Sequence, residues 1–578
     1  MPYVKTSIRS TAAGTVRYLQ LAHNEWDSHT QRSRTKVLYN FGREDELDKE
    51  AITRLVASLT RLLEPGQALA ATAPAGWEFV SSVPMGGAYV LDLLWRKLGI
   101  AGAARDCLAG RRLEAGTLER ILFGLVANRA LAPSSKLAAA GWMTEDVHIG
   151  GLPSVTDDAC HRAMDELHAM EKAFGKKVYD SVANLLNLEV DLLFFDTTST
   201  YFETRDGEAD EAVPRDSKGR RTADADGNGN GGKDAGGGKD AGFRTHGKSK
   251  DSRPDLPQVI VGMAVTRDGI PVRCWCWPGN TGDSALIRQA RDEMRDWTLA
   301  RIIWVGDRGF SSGQNRRHLM RANGAYILGE KLRSASPDIQ AALSRQGRYR
   351  DVAHNMRVKE VRLGDDSDRM IVCFNPDAAV RDAAIRDMLL AQLTDMINGT
   401  DDLPADKRAK LAGVIGTKDG LKKFLKVTAG GLLRTDTAAI KAEARLDGKF
   451  LIRCGDPKIT AEDIALGYKQ LLEVERGWRD MKQILDLRPV YHRLEDRIRA
   501  HVTLCWLALL LTRVAETTAG QTWNQLRTEL QRIHLGTFAG PAGTFAHRTQ
   551  LTAGQKAIFA ALALAEPPLI HTAQPAAS

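Results

Sequence analysis

Val190-Asp191-Leu192-Leu193-Phe194-Phe195-Asp196 and Ile302-Ile303-Trp304-Val305-Gly306-Asp307 are two short apolar runs that each end on an aspartate. Runs this short and this apolar, bounded by turn residues, read as strands buried on both faces, the kind found inside α/β sheets. Around them the period is two, with further strands expected at 257–265, 270–276 and 325–329 and helices near 283–297 and 312–323. An α/β core carrying two strand-end aspartates is therefore expected. A third segment, 468–482, has helical period and places Tyr468, Leu471, Glu475 and Lys482 on one face, spaced by 3, 4 and 7. Two strand-end aspartates and a helix glutamate are hard oxygen donors of the sort that hold Mg²⁺. Paired metals of this kind activate the attacking oxygen and stabilise the leaving oxygen in phosphodiester chemistry.

The rest of the chain sorts into segments around that core. Residues 1–75 form a basic N-terminal region. Seven Lys or Arg stand against two acids in its first 43 residues, about +5, and two strands are expected there, followed by a helix over 46–64. An Ala/Pro/Gly linker covers 65–78, and a helical module is expected over 80–188. The first part of the core is read as 189–330, interrupted at 205–255 by a Gly/Asp/Lys-rich stretch that cannot bury a core and is expected to be flexible. Residues 331–456 mix helices and strands and read as an insertion. The second part of the core, 457–518, returns with the glutamate helix, and 519–578 reads as a weakly helical tail.

Composition narrows the function classes. The chain has 578 residues, is 43% hydrophobic and 26% charged, and carries a net charge of +8, which suits a polyanionic partner without requiring one. Seven scattered cysteines without a CxxC pair argue against a zinc site or a disulfide framework and suit a reducing compartment. No apolar leader is seen at the N-terminus. The apolar run 505–511 is too short to span a bilayer and reads as a buried helix, so no membrane is expected. The Gly-rich stretch lacks a GxxxxGK[ST] pattern, which argues against a nucleotide cofactor. Between 476 and 499 seven basic side chains, Arg476, Arg479 and Lys482 among them, stand against four acids, a strip suited to a DNA backbone.

Taken with their neighbours, these segments resemble a known family. Tyr468-x2-Leu471-x3-Glu475-x6-Lys482 resembles the Y-x2-R-x3-E-x6-K signature of bacterial insertion-sequence transposases of the DDE class, IS-four superfamily type. FFDTTS (194–199), PGNTGDS (278–284), VGDRGF (305–310), the segment 485–502 and YNFGR (39–43) look like the same family. The resemblance spans about residues 1–515. It implies an RNase H-like catalytic core with a mainly β domain inserted between the second aspartate and the glutamate, preceded by a small β-containing DNA-binding region and a helical module. It implies a cytoplasmic bacterial enzyme that cuts and joins double-stranded DNA at the ends of its own element, acting as a homodimer or larger assembly. Asp196, Asp307 and Glu475 would be the catalytic residues and the ligands of two Mg²⁺, with Mn²⁺ as a substitute. Tyr468 and Lys482 would position the transferred DNA end. The arginine of the signature is Leu471 here; either Arg476 or Arg479 supplies that cation from a neighbouring turn, or this branch does not use it. In the N-terminal region Arg32, Arg34 and Lys36 are the best candidates for phosphate contacts.

Overall fold

The computed structural model describes residues 3–11, 14–27, 32–63, 77–111, 114–186, 191–203, 208–213, 242–295, 297, 302–334, 336–364, 368–488, 490–540 and 543–575. Most of the stretch expected to be flexible, 205–255, lies outside the described residues, namely 205–207 and 214–241. The chain divides into two compact units. One comprises Met1–Ser81, Gly536–His547 and Ile570–Ser578; the other comprises Ser82–Leu535 and Arg548–Leu569.

The first unit begins with three antiparallel strands, β1 (Tyr3–Thr11), β2 (Gly14–Asp27) and β3 (Arg32–Arg43), paired in that order, where two were expected. Helix α1 (Lys49–Leu63) follows. Strand β4 (Glu78–Pro84) leads out of this unit.

The second unit opens with helices α2 (Gly86–Lys97), α3 (Ile100–Leu108), α4 (Ala115–Leu131), α5 (Lys136–Gly141) and α6 (Asp157–Leu186). From Leu118 to Leu131 every residue of α4 is buried, which explains why its apolar residues show no single stripe.

The core then lays down β5 (Leu192–Tyr201), β6 (Gln258–Val265), β7 (Pro271–Pro278), α7 (Asp283–Met294), β8 (Ile303–Gly306), α8 (Gly313–Leu319) and β9 (Ala325–Glu330). Next come α9 (Pro337–Ser344), β10 (Arg350–Ala353), β11 (Met356–Val361), β12 (Arg369–Phe374), α10 (Pro376–Ile397), α11 (Ala405–Gly416), α12 (Asp419–Lys422), β13 (Leu425–Val427), β14 (Leu433–Thr435), α13 (Thr437–Ala444) and β15 (Lys449–Cys454). Nine strands make one sheet in the order β10-β11-β12-β15-β9-β8-β5-β6-β7. Strands β5, β8 and β9 run parallel to their neighbours among themselves, and the remaining pairs are antiparallel. Phe195, Trp275, Trp304, Phe310, Tyr326, Leu286 and Ile287 fill the core where α7 and α8 cover the sheet.

The expectation of a mainly β inserted domain is corrected. In 331–456 helices α9 to α13 hold more residues than strands β10 to β15, and β10, β11, β12 and β15 do not form a separate sheet but extend the core sheet beyond β9. Unpaired edge groups on β9 are satisfied by that continuation rather than left open.

Helices α14 (Ala461–Lys469), α15 (Leu472–Gln483) and α16 (Glu495–Ala519) close the sheet's other side. Helix α16 is long and apolar enough by composition to cross a membrane, but 94% of its apolar window is buried inside the protein, as a core helix would be. The final residues differ from the expected weakly helical tail. After α17 (Trp523–Leu530) the chain forms β16 (His534–Gly540), β17 (Gly543–Arg548), α18 (Ala553–Ala561) and β18 (Ile570–Pro575), and β18-β17-β16-β4 make a four-stranded sheet.

Candidate active site

The parallel pairing of β5 with β8 sets Phe195 opposite Gly306, so the next residue on each strand is an aspartate. Asp196 and Asp307 thereby stand at the same level of the sheet, but only Asp307 follows the end of its strand; the strand end expected at Asp196 is corrected, because β5 runs on through Thr197–Thr200 to Tyr201, paired with β6. Both line a cavity of about 520 Å³ together with Asp283, at the start of α7, and the cations Lys248, Lys250, Arg308, Lys331 and Arg333. The Asp196 carboxyl is half-buried, and its pKa is pushed up from 3.8 to about 6. Burial is the main cause, the charges of Asp307 and Asp283 add to it, and the Lys250 ammonium and the Thr197 amide oppose it. Asp307 Oδ1 accepts a 2.7 Å hydrogen bond from the Gly309 amide, which orients its carboxylate in the turn after β8.

Lys250 is held in place rather than solvated. Its Nζ donates to Thr197 O (2.6 Å) and Thr197 Oγ1 (2.8 Å) and stands 3.2 Å from Asp283. Sequence reasoning placed Lys250 in a solvated loop and assigned no role to Asp283, although PGNTGDS contains it. Local pattern carries no sign that either residue returns to β5 beside Asp196 and Thr197.

Glu475 comes to this region on α15. The helix docks closely on the sheet at Gly477, where a Cβ would lie 2.6 Å from Met263 Cε, and Met263 is the cross-strand partner of Asp196. Glu475 itself is exposed and lines a second cavity of about 630 Å³ with Asp307, Arg333, Tyr468, Leu471 and Leu472. Asp307 is thus shared between a cavity containing Asp196 and one containing Glu475. Among the described residues no three His, Cys, Asp or Glu side chains come close enough together to hold a metal ion. Asp196 and Asp307 do fit a hard cation of the Mg²⁺ type, which takes one or two carboxylates and completes its octahedron with waters and phosphate oxygens. The donors are oxygens, as that cation prefers.

The single helix expected over 468–482 is broken. Tyr468 belongs to α14 and Glu475 and Lys482 to α15, with the turn at Gln470 and Leu471 between them. Tyr468 stacks on Phe450 with ring centroids 6.2 Å apart and presses its hydroxyl onto Gly329, where a Cβ would lie 2.2 Å away. Burial, with the charge of Asp307 next, raises its pKa. Lys482 turns inward: its Nζ lies 2.7 Å from Thr198 Oγ1 and 2.7 Å from Asp251 Oδ1, and Arg488 meets the same carboxylate at 2.5 Å. Burial lowers the Lys482 pKa against the opposing pull of Asp251. Arg476 pairs with Glu516 at 3.2 Å, whereas Arg479 is exposed and makes no hydrogen bond or ion pair among the described residues. Trp478, Trp275, Trp277 and Trp304 are buried core residues.

Arg32, Arg34 and Lys36 project from β3, in register with Asp27, Glu25 and His23 of β2, and all three are exposed. Lys36 lies 3.0 Å from Glu25.

The mixed sheet thus sets two acids side by side on adjacent parallel strands, Asp196 within β5 and Asp307 just past β8. Residues 216–511 match the transposase DDE domain, and residues 4–70 match the IS1634 family transposase N-terminal domain. The chain belongs to the transposase DDE domain family of insertion-sequence transposases. No curated protein matches it. Among solved structures it is similar to a piggyBac transposase in a synaptic complex with hairpin DNA, at 9% identity and a TM-score of 0.34, over 78% of this chain and 82% of that one.

Proposed function

We propose that the chain is the transposase of its own insertion sequence, cutting and joining double-stranded DNA at the element's ends. The observation that carries this is the side-by-side placement of Asp196, within β5, and Asp307, just past β8, on one cation-rimmed cavity. The strand order β7-β6-β5-β8-β9, with a three-stranded antiparallel half continued by two parallel strands, supports an RNase H-like core. Transposase DDE domains are in general divalent-metal dependent. Asp196 and Asp307 would hold one Mg²⁺ and Glu475, with Asp307, a second, Mn²⁺ serving in their place. Bound there, the metals would supply charge stabilisation at phosphorus and lower the pKa of the attacking oxygen.

The chain's own residues do the rest. Water attacks phosphorus in line; a new P–O bond forms, the bond to the 3′ oxygen breaks, and a 3′-hydroxyl is freed. That hydroxyl then attacks a target phosphorus and displaces a second 3′ oxygen. Lys248, Lys331 and Arg333 rim the cavity where they can hold phosphate oxygens. Lys250, fixed by Thr197, keeps the buried Asp196 charge tolerable before DNA arrives. Tyr468, stacked in place, limits the floor of the neighbouring cavity, and Arg479 offers the exposed cation on the Glu475 side of α15. Lys482 acts through Asp251 and Thr198 rather than through direct DNA contact. Cutting two ends together requires a dimer or larger assembly on the DNA.

The test is incubation of the purified protein with labelled end-flanking DNA and Mg²⁺. Cleaved and joined products support transposition. Cleavage without joining would leave a nuclease, and binding without either would leave a DNA-binding repressor.

A further inference from the structure

Between α4, α5, α6 and the chain leading into α16 lies a cavity of about 470 Å³ whose lining brings together three cations, Arg129, Lys136 and Arg488, and three imidazoles. Arg129 (3% exposed) and Lys136 (5% exposed) form its floor, Arg488 its wall toward the active site, and His161, His492 and His501 its remaining side. The only carboxylate in the lining is Asp486. Arg129 donates to the backbone carbonyls of Ser134 and Asp486 and to Asn128 Oδ1 (3.3 Å), none of them charged, and its Nε has no partner among the described residues. The Lys136 ammonium makes no hydrogen bond or ion pair among the described residues, although it is buried and faces the cavity. Nδ1 of His161 and Nδ1 of His501 are likewise buried and unpartnered. The three imidazoles form a contiguous group, with ring centroids 5.9 Å apart for His161–His492 and 5.6 Å for His492–His501.

A buried cation without a counter-charge costs several kcal/mol. Burial, and then Arg129, push Lys136 down to about 7, and burial, and then Lys136, push His492 down to about 3. Well-packed apolar residues would be more stable at these positions. A site that concentrates unpaired donors around a space large enough for a phosphate group has the chemistry of an anion receptor.

The place of the cavity says which anion. Arg488 shares the Asp251 carboxylate with Lys482, and Lys482 is bonded to Thr198, two residues past Asp196 on β5. One continuous set of hydrogen-bonded charges therefore runs from this cavity to the strand that carries the first acid. We propose that the cavity receives a phosphate of the DNA backbone beside the scissile position, with Lys136 and Arg129 as its principal contacts and Arg488 transmitting its occupancy to the Asp251–Lys482–Thr198 chain.

The proposal rests on the DNA chemistry assigned to Asp196 and Asp307, and the experiment separates the two. Full-length wild type and Lys136→Met are compared in three measurements: thermal unfolding with inorganic phosphate against chloride of equal ionic strength, end-DNA binding across salt concentrations, and Mg²⁺-dependent cleavage. Phosphate is expected to raise the wild-type midpoint by about 2 °C or more and to leave that of Lys136→Met unmoved. The variant is expected to bind DNA about 3- to 10-fold more weakly, with a salt slope shallower by about 0.9, one phosphate contact. No phosphate effect in the wild type, with DNA affinity and slope unchanged in the variant, overturns the proposal even if cleavage is intact. Phosphate stabilisation with unchanged DNA binding would assign the cavity to a free small anion and overturn its DNA role. Absence of cleavage in the wild type overturns the transposase reading instead. If Lys136→Met does not fold, Lys136→Gln carries the same comparison.

Discussion

Lys482 Nζ lies 2.7 Å from Asp251 Oδ1, and the two side chains are 11% and 6% exposed. The signature lysine is thus one half of a buried ion pair, and Arg488 completes the group from the other side. Removing the acid would leave two cations facing each other out of water. Asp251→Ala is expected to cost about 3 kcal/mol of stability, the usual range for a broken buried pair. Urea unfolding monitored by tryptophan fluorescence reads this directly. A change below about 0.5 kcal/mol would return Lys482 to the pool of free DNA contacts.

Asp196→Asn, Asp307→Asn and Glu475→Gln are each expected to abolish cleavage while leaving end-DNA binding within about threefold of wild type. Loss of one carboxylate ligand removes charge and geometry that a neutral amide cannot restore. Activity is expected with Mg²⁺ or Mn²⁺ and to vanish in excess EDTA. Near wild-type cleavage by the Glu475→Gln protein would reassign the third acid. Glu473 is a poor substitute for it, since its carboxylate sits against Gly269 in the β6–β7 turn, 2.8 Å from where a Cβ would be.

The raised Asp196 pKa makes a stability prediction for the metal-free protein. The folded state holds this proton more tightly, at about 6, than the unfolded chain does at 3.8. The stabilisation from the protonated carboxyl is complete below pH 3.8 and is lost as pH rises through about 6. In EDTA, Asp196→Asn should therefore gain on wild type between pH 4 and pH 7, by on the order of 2–3 kcal/mol at about 1.4 kcal/mol per pKa unit. A gap independent of pH in paired denaturation curves would show that the carboxyl titrates normally.

In the first unit, Arg32→Ala/Arg34→Ala/Lys36→Ala is expected to weaken end binding and to flatten its salt dependence by up to about three units, near 0.9 per phosphate contact. Phosphate contacts give affinity without sequence information, so non-specific DNA should lose as much. The partial neutralisation of Lys36 by Glu25 makes it the smallest of the three contributions. A titration series with unchanged affinity and slope would give β3 a purely structural role.

Sequence alone settled the parts of this protein that rest on local pattern. Apolar runs are legible because a strand's burial is written in consecutive residues, and they pointed to Asp196 and Asp307; the continuation of β5 past Asp196 was not legible, since its last residues, Thr197–Thr200, are polar yet buried. The glutamate was legible only through a spaced signature. What that signature could not show was the break at Gln470 and Leu471. No proline or glycine marks it, and it arises because Tyr468 packs against Gly329 and Phe450 while Gly477 packs against Met263, so the two halves of the segment follow different strands. The inward turn of Lys482 was equally hidden, since its partner Asp251 lies 231 residues upstream in a stretch that reads as solvated. The same holds for Lys250 and Asp283 beside Asp196, and for the extension of the core sheet by β15, β12, β11 and β10. Charges and sheet edges find their counterparts through space, and only tertiary packing decided which distant residues would meet.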